Sequence, residues 1–147
     1  MNRVAAAIQV LTLIGSDEAW ADSLFIAGFS GLDAAVIRRL IGRLAGAGLV
    51  VVRRGNNGGA RLKKPPAVIT LAEVFDAVDG EELIGLRRSD LQRTVEGRVI
   101  APLFAEAAEE AVSAYRLRLA ATTLEDVITI CTEARRQLFT ANRLRAP

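Results

Sequence analysis

The residues best suited to do chemistry crowd into the stretch VVRRGNNGGARL, residues 51–62. Arg53, Arg54 and Arg61 flank Gly55, Asn56, Asn57, Gly58 and Gly59, a run with almost no side-chain bulk. Positive charge around a thin loop suits an anion. Two arrangements use it: a phosphate-cradling loop in an enzyme, or the tip of a hairpin laid on a nucleic-acid backbone. A Walker-type loop follows a strand, carries Gly-Lys-Ser/Thr and leads into a helix. Here no lysine or hydroxyl stands in place, and a second strand-like segment, ARL, follows. A dinucleotide fingerprint fails in the same way. The hairpin reading survives, because glycine and asparagine tolerate the positive φ that a tight connection between LVVVRR and ARL needs.

Little else in the chain offers catalysis. There is no histidine and one cysteine, which removes disulfides, zinc sites of cysteine and histidine, and triads that need an imidazole. Cys131 lies in LEDVITICTEARRQL, where Leu124, Val127, Ile128, Cys131 and Leu138 recur at helical spacing; a buried structural thiol is expected. The acid pairs Glu81 with Glu82 and Glu109 with Glu110 are sequence neighbours. Neighbours on a helix point apart, so they read as solvated surface and not as general acid and base. No enzyme, metal or cofactor is expected.

The elements that position the arginines can be read outward from the loop. Upstream, AAVIRRLIGRLAGAG is the most legible helix, with Asp33 as its N-cap (Ser30 the alternative) and Gly48 as its stop. At 100° per residue Val36, Ile37, Leu40, Ile41, Leu44 and Ala47 share one arc, and Ala35, Arg38, Arg39, Gly42, Arg43 and Gly46 the other. One face is core; the other is basic and low in profile, with no acid beyond the cap. Before it, a first helix from about Arg3 to Ile14 presents Val4, Ile8, Leu11 and Ile14, and a short second helix starts after Asp22 and ends near Phe29. Trp20, the sole tryptophan, reads as a packing residue beside that second helix.

Downstream, Pro65 and Pro66 end the hairpin unit, and two T-x-x-E strings, Thr70 with Glu73 and Thr122 with Glu125, mark helix starts. Between them lie a short helix ending at Gly80, a polar connection EELIGLRRSDLQRT, and a long helix through roughly Ala121, with Pro102 in its first turn or at a kink. On the long helix Ile100, Leu103, Ala107, Ala111, Ala114 and Leu117 trace a narrow stripe suited to close pairing with another helix, here expected across a dimer.

The net charge of +2 conceals an asymmetry: residues 1–66 carry nine basic against four acidic residues, a net of +5, which leaves −3 for the rest. A basic front half suits a polyanion, and an acidic back half another role. Arg3, an apolar run and Ala19-Trp20-Ala21 imitate a secretory signal, but Gln9 and Thr12 interrupt the run and its period is helical. No uncharged stretch approaches the ~20 residues of a membrane span. A cytoplasmic location is expected.

Helix, turn, basic helix and arginine-rimmed hairpin is the order of a winged helix-turn-helix. The fold class expected is mainly α with a small β-hairpin wing: a DNA-binding domain over residues 1–80, then a linker, a long dimerisation helix and a C-terminal helix over 81–147. In this frame Arg38 and Arg39 enter the major groove, Arg43 is a DNA contact or else only a solubilising charge, and Arg53, Arg54 and Arg61 gain charge-assisted contacts where bulk would clash.

The segments VIRRLIGRLAGAGLVVVRRGNNGGARL, IAGFSGLD, ITLAEVFDAVDGEEL and TTLEDVI together resemble the Rrf-two family of bacterial transcription regulators. The resemblance implies a homodimer that binds an inverted repeat in promoter double-stranded DNA, usually repressing, with the long helix as the seam. It places Asp33, Ala35 and Arg38 at recognition-helix positions that reach DNA, and Arg54 with Gly55 on the wing. This chain departs from the family at Asn56 and Asn57, where a proline and a glycine would stand, and at Ala60, where an aromatic would. It also lacks the cysteines that sensor members carry around LIGLRRSDLQRTVEGRV. Thiolates are the ligands and nucleophiles of iron–sulfur, nitric-oxide and thiol sensing, so none of these is expected. The alternative is a regulator acting mainly through a small-molecule or metabolic-enzyme partner of the acidic half.

Overall fold

The computed structural model describes residues 2–17, 19–55, 58–78 and 94–143. Among them the elements are α1 (Arg3–Gly15), α2 (Ser23–Ser30), α3 (Ala34–Gly46), β1 (Val50–Arg53), β2 (Gly59–Leu62), a 3-10 turn (Pro66–Val68), α4 (Leu71–Val78), α5 (Val95–Ala120) and α6 (Leu124–Arg143). This is the expected mainly helical architecture with one antiparallel hairpin. Gly80 and the connection EELIGLRRSDLQRT lie largely outside the described residues, as does the expected boundary at residue 80.

α1 is the centre. It has no charged residue from Val4 to Ser16, and Val4, Ala6, Ala7, Val10, Leu11, Thr12 and Ile14 are all buried. A helix apolar on nearly every side must be covered on nearly every side, and α1 accordingly touches α2, α3, α4, α6 and β2. The burial exceeds the single face expected. Thr12 is accommodated because its hydroxyl donates to the Ile8 carbonyl at 2.8 Å.

α2 and α3 start where their aspartates predict. The Asp22 side chain accepts from the amides of Leu24 and Phe25, and Asp33 from those of Ala35 (2.7 Å) and Val36 (3.3 Å). α3 buries Ile37, Leu40, Ile41 and Leu44. Ala47, expected on the core arc, is the exposed C-cap instead, since the helix ends one residue before it. There Gly48, at φ +74°, donates to the Ala45 carbonyl and Leu49 to the Leu44 carbonyl. This is a Schellman closure, and the buried Leu44 and Leu49 supply its apolar contact. The turn delivers the chain straight into β1.

β1 and β2 pair in the register Val50 with Leu62 through Arg53 with Gly59. Ala21 adds a third edge: its N–H donates to the Ala60 carbonyl at 3.0 Å and its carbonyl accepts from the Ala60 amide at 2.8 Å. The hairpin is thereby tied to the segment entering α2.

The capping box of α4 forms as expected. The Glu73 amide donates to Thr70 Oγ1 at 3.2 Å and the Thr70 amide to Glu73 Oε2 at 2.9 Å. The second box is displaced by one residue: Thr123 pairs with Asp126, not Thr122 with Glu125. Thr122 is engaged elsewhere, its amide donating to Leu119 at the end of α5 and its carbonyl accepting from Leu71. Pro102 falls inside α5, beyond its first turn. Cys131 is half-buried, and Leu138 is 68% exposed, so α6 leaves the core after its first two turns.

The Thr70 amide, then the Lys64 ammonium 2.9 Å away, hold the Glu73 carboxyl below its ordinary pKa. A depressed carboxyl stabilises the fold above its unfolded pKa, and that stabilisation is lost as pH falls through the folded value. Glu73→Gln keeps the shape and removes the charge. We expect thermal melts to show it a few tenths to about 1 kcal/mol less stable at pH 7, with the gap closing below about pH 4. A gap constant with pH would assign the effect to packing.

Candidate nucleic-acid interface

The exposed side of α3 is the one the helical wheel separates. Ala35, Arg38, Arg39, Gly42, Arg43 and Gly46 are exposed there, so two arginines stand over a surface of small residues. Arg43 has a further contact: its Nη1 donates to the Val78 carbonyl at the end of α4. A guanidinium at a helix C-terminus satisfies an orphan carbonyl and complements the dipole, a role that links α3 to α4. Arg39 and Arg43, with Arg3, Val36, Leu40 and Gly42, also line a cleft of about 560 Å³. The Asp33 carboxylate is spent on its cap, which brings it to the start of α3 beside exposed Ala35.

On the hairpin Arg53, Arg54 and Arg61 are exposed. Gly55 adopts φ +104° and its carbonyl accepts from the Gly58 amide at 2.8 Å, closing the base of the tip. Asn56 and Asn57 lie outside the described residues. Two glycines are demanded by close backbone approach. A Cβ on Gly58 would lie 2.3 Å from the Arg53 carbonyl oxygen, and one on Gly59, which has φ +149°, 2.6 Å from the Ala21 carbonyl oxygen. Gly59 is what lets the Ala21 edge join the hairpin.

Sequence reasoning gave Trp20 only a packing role. The Arg53 guanidinium carbon sits 4.6 Å from its ring centroid and that of Arg61 5.3 Å. The signal that finds it is alternation: Ala21 and Ala60 face the core, so their neighbours Trp20 and Arg61 face outward.

A basic recognition-type helix and an arginine-rimmed, glycine-tipped hairpin sharing one core define a winged helix-turn-helix. The Rrf2 family profile, described as an iron-dependent transcriptional regulator, matches residues 1–130. The chain belongs to the Rrf2 family. It is similar to YwnA of Bacillus subtilis, named as an HTH-type transcriptional regulator, with 35% identity over 128 residues that span 86% of this chain and 95% of the relative. A crystal structure described as a DNA-binding protein superposes with a TM-score of 0.67 at 33% identity, covering 86% of this chain and 99% of the other. The fold is shared with CymR of B. subtilis, titled the global cysteine regulator, at TM-score 0.62 and 22% identity, covering 88% and 95% of the two chains. As an Rrf2 member the chain is a transcriptional regulator, and its relatives are regulators, not enzymes.

The family's description raises iron, and the donor set can be tested against it. The sequence offers one cysteine and no histidine, and among the described residues no group of three histidine, cysteine, aspartate or glutamate side chains converges as a metal site. A centre ligated by several thiolates or imidazoles does not fit these residues. Among the same residues no helix is long and apolar enough to cross a membrane.

Gly59→Ala is expected to cost about 1–3 kcal/mol through strain at its φ and collision with Ala21. The Ala21 and Ala60 amides should lose hydrogen-exchange protection ahead of α1. Gly28→Ala, in α2 with open space around its Cβ, should instead stabilise by about 0.5–1 kcal/mol. Equal behaviour of the two variants would remove the close-approach argument.

Proposed function

We propose that the chain is a cytoplasmic homodimeric repressor that binds an inverted repeat in promoter DNA. Residues 1–80 carry the DNA contacts and residues 81–147 the pairing. Arg38 and Arg39, with Ala35 beside them, enter the major groove. Arg53, Arg54, Gly55, Asn56, Asn57 and Arg61 hold the adjacent backbone. Arg43 and Asp33 reach DNA only from the ends of the positions they already occupy. The observation that carries this reading is the exposed, acid-free basic surface on α3 together with three exposed arginines on the hairpin. Phosphate contacts of this kind supply most of the affinity and make it fall steeply with salt.

Pairing is supported by α5. Ile100, Leu103 and Leu117 are 42%, 66% and 75% exposed, and Ala107, Ala111 and Ala114 are exposed between them. Small residues along such a stripe let a second helix approach closely. Two recognition helices related by a two-fold axis read an inverted repeat. A small-molecule or protein effector acting through the acidic half is compatible with this arrangement.

The test is selection of bound fragments from a genomic DNA pool across a salt series, with wild type and the Arg38→Ala/Arg54→Ala variant. One enriched inverted repeat is expected, with the double variant losing it and its salt slope shallower by about one per phosphate contact removed. Binding without sequence preference, or none, would sink autonomous recognition. In sedimentation, Leu103→Glu/Leu117→Glu should turn a dimer into a monomer; a wild-type monomer at micromolar concentration would sink the pairing.

A further inference from the structure

The two arginines on the outer face of the hairpin are not independent surface charges. The bridge of Ala21 to Ala60 sets Trp20 directly across from Arg61, and the β1–β2 register sets Arg61 across from Val51, two residues from Arg53. Ala21 and Ala60 are 8% and 0% exposed. By strand alternation Trp20 and Arg61 therefore share the opposite, outward face. Arg53 joins them there because its own cross-strand partner is Gly59, which has no side chain to fill the space. The half-buried indole ends within 4.6 Å of one guanidinium and 5.3 Å of the other.

The negative face of the indole attracts each guanidinium. A guanidinium carries five N–H donors, so one held over an aromatic ring, even with a further protein contact, can turn an edge to a planar, bidentate partner such as a phosphate. The backbone that carries Trp20 is anchored, because the next residue, Ala21, is tied to the hairpin by both of its hydrogen bonds to Ala60, and the indole itself is half-buried. Long arginine side chains ordinarily lose conformational entropy when they bind. Here part of that loss is met before any ligand arrives.

We infer that Trp20 is a positioning residue that preassembles Arg53 and Arg61 into a two-pronged clamp for the phosphodiester backbone of duplex DNA. This deepens the DNA-binding reading and rests on it. Trp20 need not touch DNA. Its effect runs through the two guanidiniums, which predicts that its contribution vanishes when they are absent.

The experiment measures binding of the full-length protein to a mixed-sequence duplex of about 30 base pairs across a salt series, so that backbone contacts dominate. The proteins are wild type, Trp20→Phe, Trp20→Leu, Arg53→Ala/Arg61→Ala, and Trp20→Leu combined with that pair. Thermal melts accompany each. Trp20→Phe, which keeps an aromatic face, is expected to bind within about twofold of wild type, and Trp20→Leu roughly three- to tenfold more weakly at low salt. The slope of log K against log salt should be shallower for Trp20→Leu by roughly one phosphate contact. In the arginine-free background Trp20→Leu should change nothing further, the non-additivity of a residue acting through its partners.

A folded Trp20→Leu protein with wild-type affinity and slope overturns the inference. So does a loss of the same size in the arginine-free background, which would make Trp20 a general support of the fold. If Trp20→Leu does not fold, Trp20→Phe decides: a loss of affinity as large as that of the arginine pair overturns the inference too. Failure of wild type to bind the duplex at all would instead overturn the DNA-binding reading, and the inference with it.

Discussion

The fold depends on the burial of one uncharged helix. From Val4 to Ser16 α1 exposes only Ala5, Gln9 and the capping Ser16, and even Gln9 is used, its Nε2 donating to the Ser30 carbonyl at 3.2 Å. Each face of α1 therefore recruits an element, and the elements recruited are those that present function. α2 and α3 dock on it as the helix-turn-helix, while β2 docks on it as the inner strand of the wing. Gly15 closes the arrangement: a Cβ there would lie 2.9 Å from Ile128 of α6 and 3.0 Å from Leu62 of β2. The far end of α1 is thus where the wing and the last helix meet. A hairpin of two four-residue strands is marginal alone, and this one is held by α1 beneath and by the Ala21 edge alongside.

Local signals were legible wherever a short-range physical rule decides. The aspartate caps of α2 and α3, the Thr70 box, the Gly48 stop and the α3 wheel each need only residues within four positions, and each is present. The misreadings have longer-range causes. Thr122 has a box sequence, but its backbone is already engaged by α5 and α4, so the next threonine with a shorter acid takes over. Ala47 fits the α3 wheel but lies beyond the helix end. Cys131 and Leu138 keep helical period with Leu124, yet among the described residues only the first turns of α6 are buried against neighbours. Arg43 keeps its place on the exposed arc of α3, and its contact to a carbonyl in another helix is one that no short-range rule reports. The contact of Trp20 with Arg53 and Arg61 escaped because it exists only once strands distant in sequence from Trp20 pair beside it.

Exposed arginines concentrate in the front half, a feature the net charge of +2 hides, while exposed apolar side chains occur both on α2, at Leu24, Phe25 and Phe29, and on α5. Arginines dominate the exposed faces of α3 and the hairpin, whereas the large exposed apolar residues of α5, Val95, Val99, Leu103, Phe104 and Leu117, lie on the long helix. α5 is covered on one side by α4, where Tyr115 meets Phe75 edge-on at 5.4 Å. Its other side presents alanines between larger apolar residues, a surface too apolar for a solvated helix face. A second helix would cover what the monomer leaves bare.

The two surfaces are joined through α4. Arg116 of α5 grips Asp76 of α4 with a bidentate pair, Nε at 2.9 Å and Nη2 at 2.6 Å, and Arg43 of α3 grips the carbonyl at the end of the same helix. Exposed ion pairs contribute little to stability, but a bidentate guanidinium fixes orientation, and both contacts constrain how α4 lies. α4 is itself pinned by Phe75, Val74 and Val78 in the core. In the proposed dimer, a displacement of α5 would therefore reach α3 through the short helix α4. This contact chain runs from α5 through α4 to the basic face of α3.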